Sequence, residues 1–170
     1  MAKTDAEKAW RDYRDALARL DTAQRRLQQI EHSKLIDLLR QKLKGLDAEE
    51  RSAFTFVRSN ADMWPQLAIE LFPELVRRVS GPHWRGVRDR WVLLHVGPHA
   101  LKPLVAEHMS AVLADPEADS GEYWGLLDLL YYARFDDLME QLIQAALASE
   151  DEDIRDAGMD WKMTLERSGI

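Results

Sequence analysis

Apolar side chains recur near the start of the chain at Trp10, Tyr13, Leu17, Leu20 and Leu27, at spacings of three, four, three and seven. With Gln24 in the intervening a-type slot, these positions form a heptad seam. Residues 4–31 contain neither Gly nor Pro and are rich in Ala, Arg, Leu, Gln, Asp and Glu, so one long helix is expected there. Three heptads are short for an independent coiled coil. The seam can pair with itself in a dimer or lie on the rest of the fold. The bulk of Trp10 and Tyr13 favours the second arrangement. Burying such side chains contributes about 1.5–3 kcal/mol each before entropy, so the helix is expected to carry stability.

Helical spacing continues to the C-terminus. Ser33 or His32 opens a second helix with Leu35, Ile36, Leu38, Leu39 and Leu43 inside it, and Gly45 stops it. Asp47 with Glu50 three residues on resembles a capping box. It starts a short helix carrying Phe54, Phe56 and Val57, and Asn60 and Asp62 punctuate again. Further helices are expected at about 62–79, kinked at Pro73, and at 83–96, 99–114, 121–133, 135–149 and 152–167. A Ser80-Gly81-Pro82 turn, the Gly97-Pro98 break and a polar loop from Ala114 to Ser120 separate them. No stretch alternates with period two and no Asn-Gly or Asp-Gly hairpin turn occurs, so the expected class is all-α.

The last six helices pair as 62–79 with 83–96, 99–114 with 121–133, and 135–149 with 152–167; Val79, Leu113 and Leu147 stand 34 residues apart. Helix pairs at such a period indicate an α-solenoid. The stretch LKPLVAEHMSAVLADP (101–116) resembles the first helix of a HEAT repeat with its Asp-Pro ending. GVRDRWVLLHVG (86–97) and DIRDAGMDWKM (153–163) resemble the second helix with its Val/Ile-Arg start, whereas SGEYWGLLDLLYYA (120–133) lacks that pair. The resemblance spans residues 62–167 in about three repeats. It implies a short right-handed α-solenoid, with the helices of residues 1–61 packed on it in a single domain. It also implies a scaffold that binds proteins or nucleic acid, and no particular reaction.

Charge adds an asymmetry. The formal net charge is -7, but residues 1–102 hold 19 Lys and Arg against 14 Asp and Glu (+5), and residues 103–170 hold 4 against 16 (-12). The acidic part repels nucleic acid and membrane headgroups and attracts basic protein surfaces. The chain has no Cys, which removes disulfides, thiolate catalysis and Cys-based zinc sites. The longest stretch without Asp, Glu, Lys or Arg is eleven residues, Trp91 to Leu101, whereas a membrane-spanning helix needs about 20 apolar residues. The charged first thirty residues hold no signal-peptide core, and a cytoplasmic protein is expected.

Candidate chemistry is sparse. Of the five His, His95 and His99 are four apart but separated by Gly97-Pro98, and no Glu follows His95 as a zinc-binding HExxH helix requires. His99 and His108 fall on different faces of one helix, and His32 and His83 stand alone. There is no Gly-rich phosphate loop and no G-x-S-x-G elbow. Asp136-Asp137 and Glu49-Glu50 suit helix N-termini, where carboxylates match the dipole. No catalytic, cofactor-binding or metal-binding residue is assigned, and an enzyme is not expected.

Two surfaces are distinctive. The first is basic and aromatic: Arg77, Arg78, His83, Arg85, Arg88 and Arg90 interleaved with Trp84 and Trp91. It suits phosphate contacts, although a helical wheel puts Trp84, Val87, Trp91 and Leu94 together as a core face. The second is acidic. On 152–167, Ile154, Gly158, Trp161 and Leu165 point inward, leaving Asp153, Asp156 and Asp160 outside with Met159 and Met163 beside them. On 121–133, Tyr123, Leu126, Leu127 and Leu130 point inward, leaving Trp124, Asp128, Tyr131 and Tyr132 outside. Stacking the repeats would join Trp124, Asp128, Tyr131, Tyr132, Asp153, Asp156, Asp160 and Met163 into one acidic surface with aromatic anchors. Trp, Tyr and Met favour interface centres; alternatively Trp124 and Tyr131 pack on the neighbouring repeat. The reading is a non-enzymatic module that binds a basic partner protein, such as an immunity or inhibitor protein covering the cationic cleft of a nuclease-type toxin. A nucleic-acid-associated role for the Arg77–Arg90 patch and a structural adaptor are the alternatives.

Overall fold

The computed structural model describes residues 3–45, 48–79 and 86–168, with side chains over 5–45, 48–79 and 90–167. These residues form ten helices: α1 (Lys3–Gln28), α2 (His32–Leu43), α3 (Ala48–Asn60), α4 (Pro65–Glu70), α5 (Phe72–Val79), α6 (Gly86–Leu94), α7 (Pro98–Ala114), α8 (Ser120–Ala133), α9 (Asp136–Leu147) and α10 (Glu152–Ser168). No strand occurs among the described residues, and the class is all-α. The turn at Ser80, Gly81 and Pro82 and the Asp47 cap lie outside the described residues.

The ends of the helices follow from local chemistry. Pro65 and Pro98 occupy first-turn positions, where a missing N–H and a preset φ suit a helix start. Gly97, just before α7, has a φ of 84°, a left-handed conformation that other residues adopt at a cost. Asp119 caps α8: its carboxylate accepts from the Glu122 N–H at 3.0 Å, and the Glu122 carboxylate accepts from the Asp119 N–H at 3.3 Å. This reciprocal box lies at the end of the stretch expected to be only a polar loop. The single kinked helix expected at 62–79 is instead two, broken at Leu71. Pro73 has no N–H to give the carbonyl of Ile69, so the chain restarts a helix with the proline in its first turn.

The chain divides into two compact units, residues 1–41 and 42–170. In the second, the most extensive helix pairings are α9 with α10, α8 with α9, α5 with α6 and α8 with α10. Two of the three expected pairs are among them. The third, α7 with α8, is slight, because α8 turns its apolar stripe mainly to α9 and α10. The 34-residue spacing also does not place equivalent side chains alike: Val79 is fully buried while Leu113 is exposed. α3, grouped by sequence with the N-terminal helices, packs on α4 and α6. Arg78 of α5 pairs with Glu50 of α3 and lies 4.4 Å over the Phe54 ring. His108 of α7 meets Phe72 edge-on at 6.3 Å; burial, with the Arg77 charge adding to it, holds its imidazole below the ordinary range.

The α9–α10 contact rests on Gly158. A Cβ placed there would lie 2.9 Å from the Ala146 Cβ and 3.2 Å from the Leu147 nitrogen, both fixed points on α9. Gly158→Ala is therefore expected to destabilise the protein by about 1–3 kcal/mol through overpacking, even though Ala is the better helix former. Urea unfolding followed by circular dichroism checks this; an unchanged midpoint would mean the two helices separate freely.

In the first unit, the heptad seam of α1 is not inward. Trp10, Tyr13, Leu17 and Leu20 are 61, 54, 45 and 52% exposed, and Gln24 and Leu27 are half-buried. Trp10 and Tyr13 stack only on each other, with ring centroids 5.6 Å apart.

Candidate functional site: the aromatic and acidic face of α8 and α10

Trp124 and Tyr131 are seven residues apart and lie on one face of α8, as two helical turns require. Both reach Trp161 of α10: the Trp124 ring centroid is 6.3 Å from that of Trp161 and the Tyr131 centroid 5.4 Å. Tyr132 meets Tyr131 edge-on at 5.4 Å. Trp161 is buried at 7% exposure, whereas Trp124 and Tyr132 are 38 and 49% exposed. A buried indole thus backs a rim of three aromatic side chains, in tilted and edge-on geometries. The two readings of Trp124 and Tyr131 are combined: they pack on the neighbouring helix and still present surface. The inward stripe of α8 holds as expected, with Tyr123, Leu126, Leu127 and Leu130 all buried.

Asp153, Asp156 and Asp160 share one side of α10. Gly158 faces α9. At about 100° per residue, Asp153 and Asp160 fall on the side of α10 opposite Gly158, about a quarter-turn from Trp161. Asp156 lies further round, next to Met163. Asp153, Asp156 and Asp160 are exposed, as are Met159 and Met163. Asp156, Met159, Asp160, Met163 and Glu166 line an open depression with Lys162.

Asp128 leaves this face. It was expected outward as an electrostatic guide, but it closes an ion pair with Arg90 of α6, whose side chain is only 6% exposed. Burial pushes the Asp128 carboxyl up, and the Arg90 charge and contact partly oppose this. The pair also disposes of one cation of the expected nucleic-acid patch. Arg78 is taken by Glu50, and the Arg77 Nε donates to the Pro73 carbonyl at 3.0 Å. The side chains of Arg85 and Arg88, with Trp84 and His83, lie outside those described. Trp91, expected in the core, is 57% exposed, while Val92 and Leu93 are buried. The four residues from Trp91 to Leu94 are apolar on every side, so a wheel does not define one face; the rotation seen is the one that brings Arg90 to Asp128.

Sequence reasoning placed Trp161 inward but did not assign it to the site, and it missed the Arg90–Asp128 pair. The available signal was a lone carboxylate inside GLLDLLYY.

A second open depression holds His99, Lys102, Arg134 and Phe135. Its cations are compensated locally. Lys102 Nζ lies 2.8 Å from both carboxylate oxygens of Asp137, whose carboxyl is thereby held low, and Arg134 lies 3.9 Å from Asp136. His95 Nε2 contacts Asp62 at 2.8 Å. Among the described residues no group of three His, Asp or Glu is placed to hold a metal ion, and no helix is long and apolar enough to cross a membrane. Comparison with protein-family models, with curated proteins and with solved structures gives no match for this chain.

Proposed function

We propose that this protein is a non-enzymatic binding module whose α8–α10 face takes a basic partner protein. In its most concrete form it is a cytoplasmic immunity or inhibitor protein covering the cationic cleft of a nuclease-type toxin. The reading treats the helix pairs of residues 62–167 as a short HEAT-like solenoid that displays this face. The observation that supports it is the half-exposed aromatic rim on Trp161, in the part of the chain with a charge of -12, with Asp153, Asp156 and Asp160 exposed on the helix that carries Trp161. Rigid aromatics supply contact area at low entropic cost. Rim carboxylates steer a cationic partner and mainly raise the association rate.

Surface-binding kinetics against immobilised cationic nuclease domains, with heparin as a competing polyanion, test the proposal. Asp153→Lys with Asp160→Lys is expected to slow association about tenfold and to flatten its salt dependence. Trp124→Ala is expected to speed dissociation by about 30-fold, the equivalent of about 2 kcal/mol. Unchanged association after charge reversal would reduce the acidic half to a solubility device and overturn the reading. Salt-resistant retention of the protein on heparin would favour a nucleic-acid role instead.

A further inference from the structure

The exposed seam of α1 has an edge on each side. Reading Trp10, Leu17 and Gln24 as a positions and Tyr13, Leu20 and Leu27 as d positions, one edge is Ala9, Ala16 and Ala23, all exposed and spaced by seven. The other edge is Glu7, Arg14 and Asp21, also exposed and spaced by seven. An edge of only Ala lets a second backbone approach closely. An edge of alternating charge asks for a complement.

We propose that α1 pairs with α1 of a second copy of this chain as an antiparallel coiled coil. The charge pattern chooses the orientation. In a parallel pair each charged edge faces an Ala edge, and Arg14 and Asp21 find no opposite charge. In an antiparallel pair the charged edges face each other, and Arg14 of one copy meets Asp21 of the other twice, once on each side of the axis. The Ala edges then also face each other. The same register stacks Trp10 on Leu27, Leu17 on Leu20 and Gln24 on Tyr13 across the seam. The polar a-position Gln24 thus lies opposite a phenol hydroxyl, which can accept from its amide or donate to it. A parallel pair would set Trp10 on Trp10, Tyr13 on Tyr13 and Gln24 on Gln24, crowding one end and leaving the other polar. Antiparallel helix dipoles also attract. The intrahelical pair of Asp21 with Arg25 is solvent-exposed and exchangeable. This inference does not depend on the α8–α10 face.

The test uses the full chain in sedimentation equilibrium from about 5 to 500 µM, a range suited to a three-heptad pair. The mass is expected to rise from 19.6 kDa towards twice that value. Leu17→Asp is expected to abolish the rise. Because a charged residue in the seam can disturb the helix itself, exposed-edge variants give an independent reading. Arg14→Asp alone and Asp21→Arg alone are each expected to weaken association about tenfold. The double variant, or a mixture of the two single variants, is expected to restore it. The chain has no Cys, so a spin label on Lys8→Cys reports orientation cleanly. Antiparallel pairing puts the labels about 30–40 Å apart and parallel pairing under about 20 Å, at 1.5 Å per residue. A mass that stays at 19.6 kDa through the range overturns the proposal, as does a dimer that Leu17→Asp leaves intact. A dimer with no rescue by the charge swap, or with labels close together, overturns the antiparallel register.

Discussion

Asp128→Ala is expected to lower stability by about 3–5 kcal/mol, which places it among the most damaging single substitutions foreseen for the chain. The loss comes from the partner. Arg90 is 5% exposed and cannot shed its proton, so without Asp128 its guanidinium is left as a buried, uncompensated charge. Arg90→Ala is expected to cost a similar amount by leaving the carboxylate. The pair is not a source of net stability by itself. Burial raises the Asp128 carboxyl, the sign of a group for which the charged form is the costly one in the fold. A raised carboxyl contributes stability that is present at acid pH and declines as pH rises through its folded value, so acidification does not unfold the protein through Asp128. The double replacement Arg90→Met with Asp128→Leu is therefore expected to recover most of the loss. Urea unfolding of the two single variants and the double variant tests this. Single variants within about 1 kcal/mol of the parent would show that the pair is solvated and that Asp128 is available to a partner.

Trp161→Ala is expected to cost about 3–5 kcal/mol, whereas Trp124→Ala costs under about 1 kcal/mol. Both rings belong to one cluster, but they occupy different depths. Trp161 is 7% exposed beneath α8, and its removal leaves a cavity between two helices held rigidly by their packing on α9. Trp124 is 38% exposed and can be truncated without opening the core. Guanidinium chloride unfolding of the two variants side by side measures the difference. Equal midpoints would mean that α10 relaxes into the space and that the aromatic rim has no fixed base. The contrast bears directly on the proposed function: a rim residue should change binding with little effect on folding, and the residue that backs it should change both.

The heptad seam, the inward stripe of α8 and the all-α class are legible in the chain. Each depends on contacts within four residues, where helical periodicity and backbone chemistry act alone. The same locality explains the failures. A seam defines which face of α1 is apolar but not what covers it, and here Trp10, Tyr13, Leu17 and Leu20 stand exposed. In α6 the apolar run from Trp91 to Leu94 allows more than one inward face, and the rotation that leaves Trp91 outside is the one that pairs Arg90 with an acid on α8, 38 residues along the chain. Asp128 looked like surface because charged residues usually are; its partner lies on another helix. Trp161 read as plain core because nothing near it in sequence announces that Trp124 and Tyr131 will lean on it. The sequence by itself thus determined where helices form and which faces are apolar, since those are near-neighbour properties. Which apolar face is covered, which charge is paired and which aromatic rings meet were decided only by tertiary structure, because they depend on distant segments sharing the same space.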